Sequence, residues 1–436
     1  MSTLYISGKT AAEIADSLLQ ALRSGALQPG DALPAVRALA QQLAVNPNTV
    51  AVAYARLRDA GHVVTDGRRG TRVVAPPASL PQAYAVPAGL RDLASGNVDA
   101  SLLPQLQGGA AAWAALAASA GYEAPADLPA LQAEARQWLT AQGLPCEQVG
   151  VFSGTLDAVE RALRAHTHPG ERVAVEDPCW PPMVALLHSL RLKPVPLPVD
   201  GEGLCVPDAA VLQGCAALVL TPRAHNPTGA AVSPARWKAL RRQLQALPQL
   251  LVVLDDHWGP LSGAPLAMAA SLPALWLHVV SVSKFLGPDL RVALATGSPA
   301  LLQSMRAQQA LGPRWVSRIL QGLAAGLWRQ MREGSALAQA GGSYAARRQT
   351  LVQALALHQV AVPPGEGLHL WLPVADEAAV VQSLASRGWA VQAGTPLRLA
   401  SAPAVRVSLG ECKPLDMPRL AADLAQALRT PGRAVF

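Results

Sequence analysis

Cysteine is scarce and unpatterned in this sequence. The five residues, Cys146, Cys179, Cys205, Cys215 and Cys412, are odd in number and scattered, with no Cys-x-x-Cys pair and no His at metal-ligand spacing. That argues against a disulfide framework and against a metal site, and it fits a reducing cytoplasm. Long apolar runs are missing too. The Ala-rich stretch at 108–121 is short and broken by Gly, Ser and Trp, whereas a membrane helix needs about 20 strongly apolar residues. The N-terminus has no basic segment leading into an apolar one, so export is not expected. What is present is length and apolar content. The 436 residues, 51% of them hydrophobic, predict two or three domains with ample material for cores.

Positive charge is unevenly spread. Residues 1–75 hold eight Lys or Arg against five Asp or Glu, a net +3 out of +7 for the whole chain. A basic segment of this kind permits contact with nucleic acid. Within it, Ile14, Leu18, Leu19 and Leu22 predict a helix that ends at Ser24-Gly25 and the turn Pro29-Gly30-Asp31. A second helix is predicted from Pro34 to Leu43. A third is predicted from Thr49 through Tyr54 to Gly61, capped by Asn48 after the turn Ala44-Val45-Asn46-Pro47. This is a helix-turn-helix pattern, in which the second helix of the pair enters the major groove by its N-terminal end. His62-Val63-Val64 and Thr71-Arg72-Val73-Val74 read as two strands flanking Asp66-Gly67-Arg68-Arg69-Gly70, a wing with two arginines at its tip.

The string from Leu33-Pro34-Ala35-Val36-Arg37 through Asn46-Pro47-Asn48-Thr49-Val50 and Tyr54 to Gly61 resembles the winged helix of GntR-type transcription regulators. The resemblance implies double-stranded DNA as a partner. It makes Arg37, Asn46, Asn48, Thr49, Tyr54 and Gly70 candidate DNA-contacting positions, with Arg37, Arg68 and Arg69 suited to phosphates or base edges. The usual Ser after Leu-Pro is Ala35 here, which removes a helix cap or a phosphate contact. Residues 76–92, rich in Pro and Ala, read as a semi-rigid linker between a domain over 1–75 and another over 93–436.

Beyond the linker, short apolar runs at Val173–Val175, Ala217–Leu220, Leu251–Leu254 and Val279-Val280 alternate with helical stretches. The pattern predicts an α/β fold with a mostly parallel sheet, whose ligands bind past the carboxyl ends of the strands. Residues in those places make a coherent set. Ser153-Gly154-Thr155 precedes a helix predicted from Asp157 through Leu163 and offers free N–H groups to a phosphate. Trp180 can stack on a flat ring. Asn226, in Thr221-Pro222-Arg223-Ala224-His225-Asn226-Pro227-Thr228-Gly229, offers an amide to a phenolate, and Asp255 can hold a pyridine nitrogen protonated. Lys284, in Ser281-Val282-Ser283-Lys284, is placed to form a Schiff base with an aldehyde cofactor. Its amine must be kept uncharged by burial or by a neighbouring cation, for which Arg291 is the candidate.

In that order these residues resemble a fold-type I aminotransferase built around pyridoxal 5'-phosphate. The resemblance covers nearly all of 93–436. It implies that Ser153, Gly154, Thr155 and Arg291 hold the phosphate, that Ser281 and Ser283 belong to the cofactor site, that Tyr122 reaches the phosphate of a neighbouring subunit, and that Arg406 clamps an α-carboxylate from two sides. A tyrosine usually follows the aspartate by two or three residues. His257 and Trp258 stand there instead, and a histidine can titrate near pH 6 to 7, roughly, unless buried.

A GntR-like winged helix joined to such a domain is the arrangement of the MocR family. The resemblance implies a cytoplasmic, dimeric regulator that binds DNA and pyridoxal phosphate, possesses Lys284 as its catalytic-type lysine, and controls vitamin B6 (pyridoxal kinase) or amino-acid metabolism genes. An amino compound is a further expected ligand. The alternatives are a working aminotransferase that carries a DNA reader, and a regulator whose second domain only dimerises. The DNA reader argues against the first, and the intact Lys284 and Asp255 against the second.

Overall fold

The computed structural model describes residues 6–65, 70–74, 86–105 and 121–429. The chain divides into two compact units.

The N-terminal unit packs three helices, α1 (Ala11–Arg23), α2 (Val36–Leu43) and α3 (Pro47–Asp59), with a hairpin of β1 (Val63–Thr65) and β2 (Thr71–Val73). Thr10 and Glu13 cap the start of α1 reciprocally: Thr10 Oγ1 accepts the Glu13 N–H at 3.2 Å, and the Glu13 carboxylate accepts the Thr10 N–H at 3.4 Å. At α2 the cap position is Ala35, and no side chain bonds the free amides there, as the missing serine led us to expect. The start of α3 differs from the sequence reading. Its cap is Asn46, whose Oδ1 accepts the Asn48 N–H at 2.8 Å, and Pro47 is the first helical residue. Proline is tolerated there because its missing N–H would have had no partner inside the helix. Ile14, Leu18, Leu39, Val50, Leu57 and their neighbours form the core of the unit.

The second unit contains two sheets. In the larger, β4 (Gly150–Phe152), β5 (Arg172–Asp177), β6 (Lys193–Asp200), β7 (Gly203–Leu204), β8 (Ala217–Leu220), β9 (Leu251–Asp255), β10 (Trp276–Ser281) and β11 (Ala293–Gly297) stand in the order β4-β11-β10-β9-β8-β5-β6-β7. Strands β5, β8, β9 and β10 are parallel, while β11 runs antiparallel to both β10 and β4. Every residue of β8, β9 and β10 is buried. Burial on both faces is why these strands read as unbroken apolar runs rather than alternating ones.

The smaller sheet has the order β12-β14-β13-β3, from β3 (Arg91–Leu93), β12 (His369–Pro373), β13 (Trp389–Ala393) and β14 (Ala404–Ser408). Strand β3 pairs parallel to β13, so the linker expected over 76–92 is corrected at its end: Arg91 and Asp92 belong to a strand. Residues 76–85 of that expected linker lie outside the described residues. Among the described residues no helix is long and apolar enough to cross a membrane.

Candidate functional site

The carboxyl ends of β5, β8, β9 and β10 open onto one cavity of about 530 Å³, lined among others by Thr155, Trp180, Asn226, Asp255, His257, Ser281, Ser283, Lys284 and Arg291. Nine of the sequence-predicted cofactor residues therefore meet, although the chain places up to 136 positions between them.

Lys284 sits in a short turn just after β10, and its Nζ donates to the Gly96 carbonyl at 3.2 Å. Burial, followed by the charge of Arg406, pulls its amine down to about 8. The expectation that Arg291 supplies the neighbouring cation is corrected on this point. Arg291 lies instead against the turn at Gly154: a Cβ added at Gly154, whose φ is +96°, would lie 2.8 Å from its guanidinium. Only glycine lets that arginine close over the turn. The helix after Gly154 begins at Thr155, two residues earlier than expected, and Thr155 lines the cavity while its first-turn amides lack partners within the helix. Ser153 is corrected as a lining residue. It is exposed, and its N–H is taken by Asp157 Oδ2 at 2.9 Å.

Asp255 ends β9 with its carboxylate buried. Burial and the adjacent Asp256 raise it to about 7. Its Oδ1 has no hydrogen-bond partner among the described residues, which is costly for a buried acceptor unless a ligand supplies a donor. Asn226 is oriented by Arg406, whose guanidinium donates to Asn226 Oδ1 at 3.1 Å. That leaves the amide N–H groups of Asn226 as donors. His257 lines the cavity, and burial together with Lys284 pushes its pKa down to about 4. The expected titration near neutrality is thereby corrected: His257 is a neutral imidazole there. Trp258 is not on the cavity wall. It is buried, edge-on to Tyr344 with ring centroids 5.2 Å apart.

Arg406 and Tyr122 depart from expectation. Arg406 donates from one terminal nitrogen to Asn226 and from the other to the Ala94 carbonyl, while its Nε has no partner among the described residues. A two-sided grip on a carboxylate is therefore not poised in this arrangement. Tyr122 is 78% exposed, away from the cavity, with its ring against Trp315 and Arg314. Sequence reasoning missed Glu176, Thr221 and His225, which line the same cavity. The signal was available, because each lies at or just past the carboxyl end of β5 or β8.

In the N-terminal unit, Arg37, Asn46 and Asn48 are exposed and Thr49 is half-buried, all on or beside the first turns of α2 and α3. Gly70 precedes β2 with φ +78°, which favours glycine. Tyr54 is a correction: it is buried, and its hydroxyl donates to the Pro34 carbonyl at 2.8 Å. It holds α3 against the segment before α2 instead of presenting its ring to DNA. Arg68 and Arg69 lie outside the described residues. Arg72 is tied to the Gly30 carbonyl at 2.9 Å.

These groups fit pyridoxal 5'-phosphate. An amine whose cation is disfavoured, a buried acceptor for a ring N–H without a partner among the described residues, an amide donor for a phenolate and a glycine-arginine corner of a size for a phosphate share one cavity. Residues 92–424 match the family of class I and II aminotransferases, and residues 10–73 match the gntR family of bacterial regulatory proteins. The chain belongs to the MocR-type regulators, which join these two parts: it is a DNA-binding transcription regulator with a pyridoxal phosphate-binding domain of aminotransferase fold.

It is 39% identical to PtsJ, the vitamin B6 salvage pathway transcriptional repressor of Salmonella typhimurium, over 97% of this chain and 99% of that one. It is 27% identical to PdxR, the pyridoxine biosynthesis transcriptional regulator of Corynebacterium glutamicum, over 71% of this chain and 67% of that one. Among solved structures, an aminotransferase from Staphylococcus aureus shares the fold with a TM-score of 0.68 at 20% identity, covering 80% of this chain and 97% of that one.

Proposed function

We propose that this chain is a cytoplasmic homodimer that adjusts the transcription of vitamin B6 genes according to how much pyridoxal phosphate it holds. One observation carries the reading: Lys284, with its amine lowered to about 8, shares a cavity with the unpartnered Asp255 oxygen in a chain that also carries a winged helix. The bound cofactor supplies an aldehyde carbon with which an uncharged amine condenses.

The chain's own residues do the rest. Lys284 keeps a nucleophilic Nζ because burial and Arg406 disfavour its cation. Asp255 receives the ring N–H, and Asn226, held by Arg406, turns its amide toward the phenolate oxygen. His257, neutral, offers a ring N–H where a phenol would otherwise stand. Thr155, Ser281, Ser283 and Arg291 hold the phosphate, joined by Tyr122 of the partner subunit in a dimer. Arg406 lies beside the Lys284 end of the site, where an amino compound's carboxylate would displace its present partners.

Occupancy regulates DNA binding if the cofactor favours one of two domain arrangements over the other. In the DNA-bound form, Arg37, Asn48 and Thr49 meet the duplex. The test is the affinity of the full-length protein for its promoter DNA, with and without pyridoxal phosphate, in the native protein and in Lys284→Ala. A cofactor-dependent change of several-fold that disappears in the variant supports the reading, and equal affinities throughout reject it. A slow half-transamination is a second reading, favoured by the coexistence of Lys284, Asp255 and Arg406. Conversion of added amino acid to keto acid in stoichiometric amounts would establish it.

A further inference from the structure

Among the described residues, Glu176, Asp255 and Asp256 are buried around the ring end of the cavity, and of these Asp256 is the one paired with a cation. Asp256 accepts from Arg223 Nε at 3.1 Å and pairs with His278 Nε2 at 3.0 Å. Burial works against its anion, but Arg223 and His278 hold its carboxyl well below the usual range. Asp255 and Glu176 have no such partner. Glu176 is buried at the end of β5. Its Oε2 accepts the Thr221 N–H at 2.8 Å and lies 3.4 Å from His225 Nε2. His225 gives no positive charge: burial, then His257, pushes it down to about 3, and its Nδ1 is engaged with Thr228 Oγ1 at 2.8 Å. Glu176 Oε1 and Asp255 Oδ1 are both buried without a hydrogen-bond partner among the described residues.

The other titratable groups on this wall do not compensate them. The Cys179 thiol is pushed up by burial, then by Glu176, Asp177 and Asp255, and stays neutral. His257 is neutral, and Lys284 and Arg291 serve the aldehyde and phosphate ends. Glu176 and Asp255 line one cavity, neither is ion-paired with an Arg or Lys among the described residues, and the charge of Asp255 works against that of Glu176, so the two do not both ionise near neutral pH and one proton remains between them.

We propose that Glu176 keeps that proton while the ring is bound and acts as a positioning residue for the cofactor: as a neutral acid anchored on the Thr221 N–H, it leaves Asp255 as the single anion opposite the ring nitrogen. Burial and the charge of Asp255 raise Glu176 to about 8, which agrees with the geometry. This inference rests on the reading of the cavity as a vitamin B6 phosphate site.

The experiment measures the affinity of full-length protein for pyridoxine 5'-phosphate by quenching of tryptophan fluorescence between pH 6.5 and 9. This probe has no aldehyde, so Lys284 makes no bond to it. Glutamine mimics a protonated glutamate at every pH, and the titrations of the ligand and of Lys284 are common to both proteins and cancel in their ratio. Near pH 7, Glu176→Gln binds within about twofold of the native protein. As pH rises past about 8, native Glu176 gains a negative charge near the ring cation, so the native protein becomes several-fold the tighter binder.

A large difference already present at pH 6.5 would mean that Glu176 is ionised throughout. A ratio of one at every pH would mean that it has no influence on the ring. Either result overturns the proposal. If the variant does not fold, infrared spectroscopy of the native complex at pH 7 decides. A protonated carboxyl stretch that shifts in heavy water and disappears above about pH 9 is expected, and its absence rejects the proposal. Asp255→Asn separates the two levels of argument. It should lose at least tenfold in affinity at all pH values, and undiminished binding would reject the cofactor reading itself.

Discussion

The two units place their working groups in opposite surroundings. In the N-terminal unit, Arg37, Asn46 and Asn48 stand exposed on a small apolar core, and that core is all the fold has to maintain. In the second unit Lys284, Asp255, Glu176 and His225 are withdrawn into a cavity, where desolvation moves their proton affinities by units. A surface that meets DNA exchanges ions and water for phosphate contacts, so it needs ordinary charges held in register. A site that forms a covalent bond to an aldehyde needs some of its amine uncharged near neutral pH, and burial enlarges that fraction.

The sharpest test of this contrast is Lys284→Ala. Borohydride treatment of the native protein with pyridoxal phosphate should fix the cofactor, as an added mass on the Lys284 peptide. The variant should show none, while its affinity for DNA without cofactor stays within about twofold. Loss of DNA binding in the cofactor-free variant would mean that the units are not separable in this way.

Next comes Arg223→Ala, which strands the buried Asp256. Removing one partner of a buried pair costs about 3–5 kcal/mol, so the second unit should unfold at a distinctly lower temperature in calorimetry while the winged-helix transition holds its place. The rate of pyridoxal phosphate capture should rise about tenfold from pH 6 to pH 7 and level off above about pH 8, because only the neutral amine reacts and its pKa is about 8. A rate that climbs on toward pH 10 would mean that Lys284 is not depressed.

On the exposed side the effects are smaller. Arg37→Ala should weaken binding to all DNA sequences alike and lower the salt dependence by about one unit of slope. A change in sequence preference would make it a base-reading residue instead. Tyr54→Phe should cost about 1 kcal/mol of unfolding free energy, the value of one hydrogen bond, with sequence preference unchanged. Altered preference would return Tyr54 to the DNA surface.

Much of the site was legible because the chemistry follows strand ends. Asp255 ends β9, Lys284 lies three residues past β10 and Asn226 six past β8, and a parallel sheet sends such positions to one edge. What could not be read was which groups touch. Arg406, 122 residues beyond Lys284, is the cation that depresses it, whereas Arg291, seven residues away, turns to Gly154. Tyr54 looked available on a polar helix until its hydroxyl was found on Pro34. Asn46 displaced Asn48 as the cap of α3 by a local preference too fine for spacing alone.

By itself the sequence determined the order of parts: a basic winged helix, then an α/β domain bearing a lysine, an aspartate and an asparagine at strand ends. These are properties of local pattern, since apolar periodicity and turn residues act over a few positions. Only the tertiary structure decided the protonation of Lys284, His257 and Glu176. Proton affinity depends on how much water is removed and which charges arrive from distant segments, and neither is written in the neighbours along the chain.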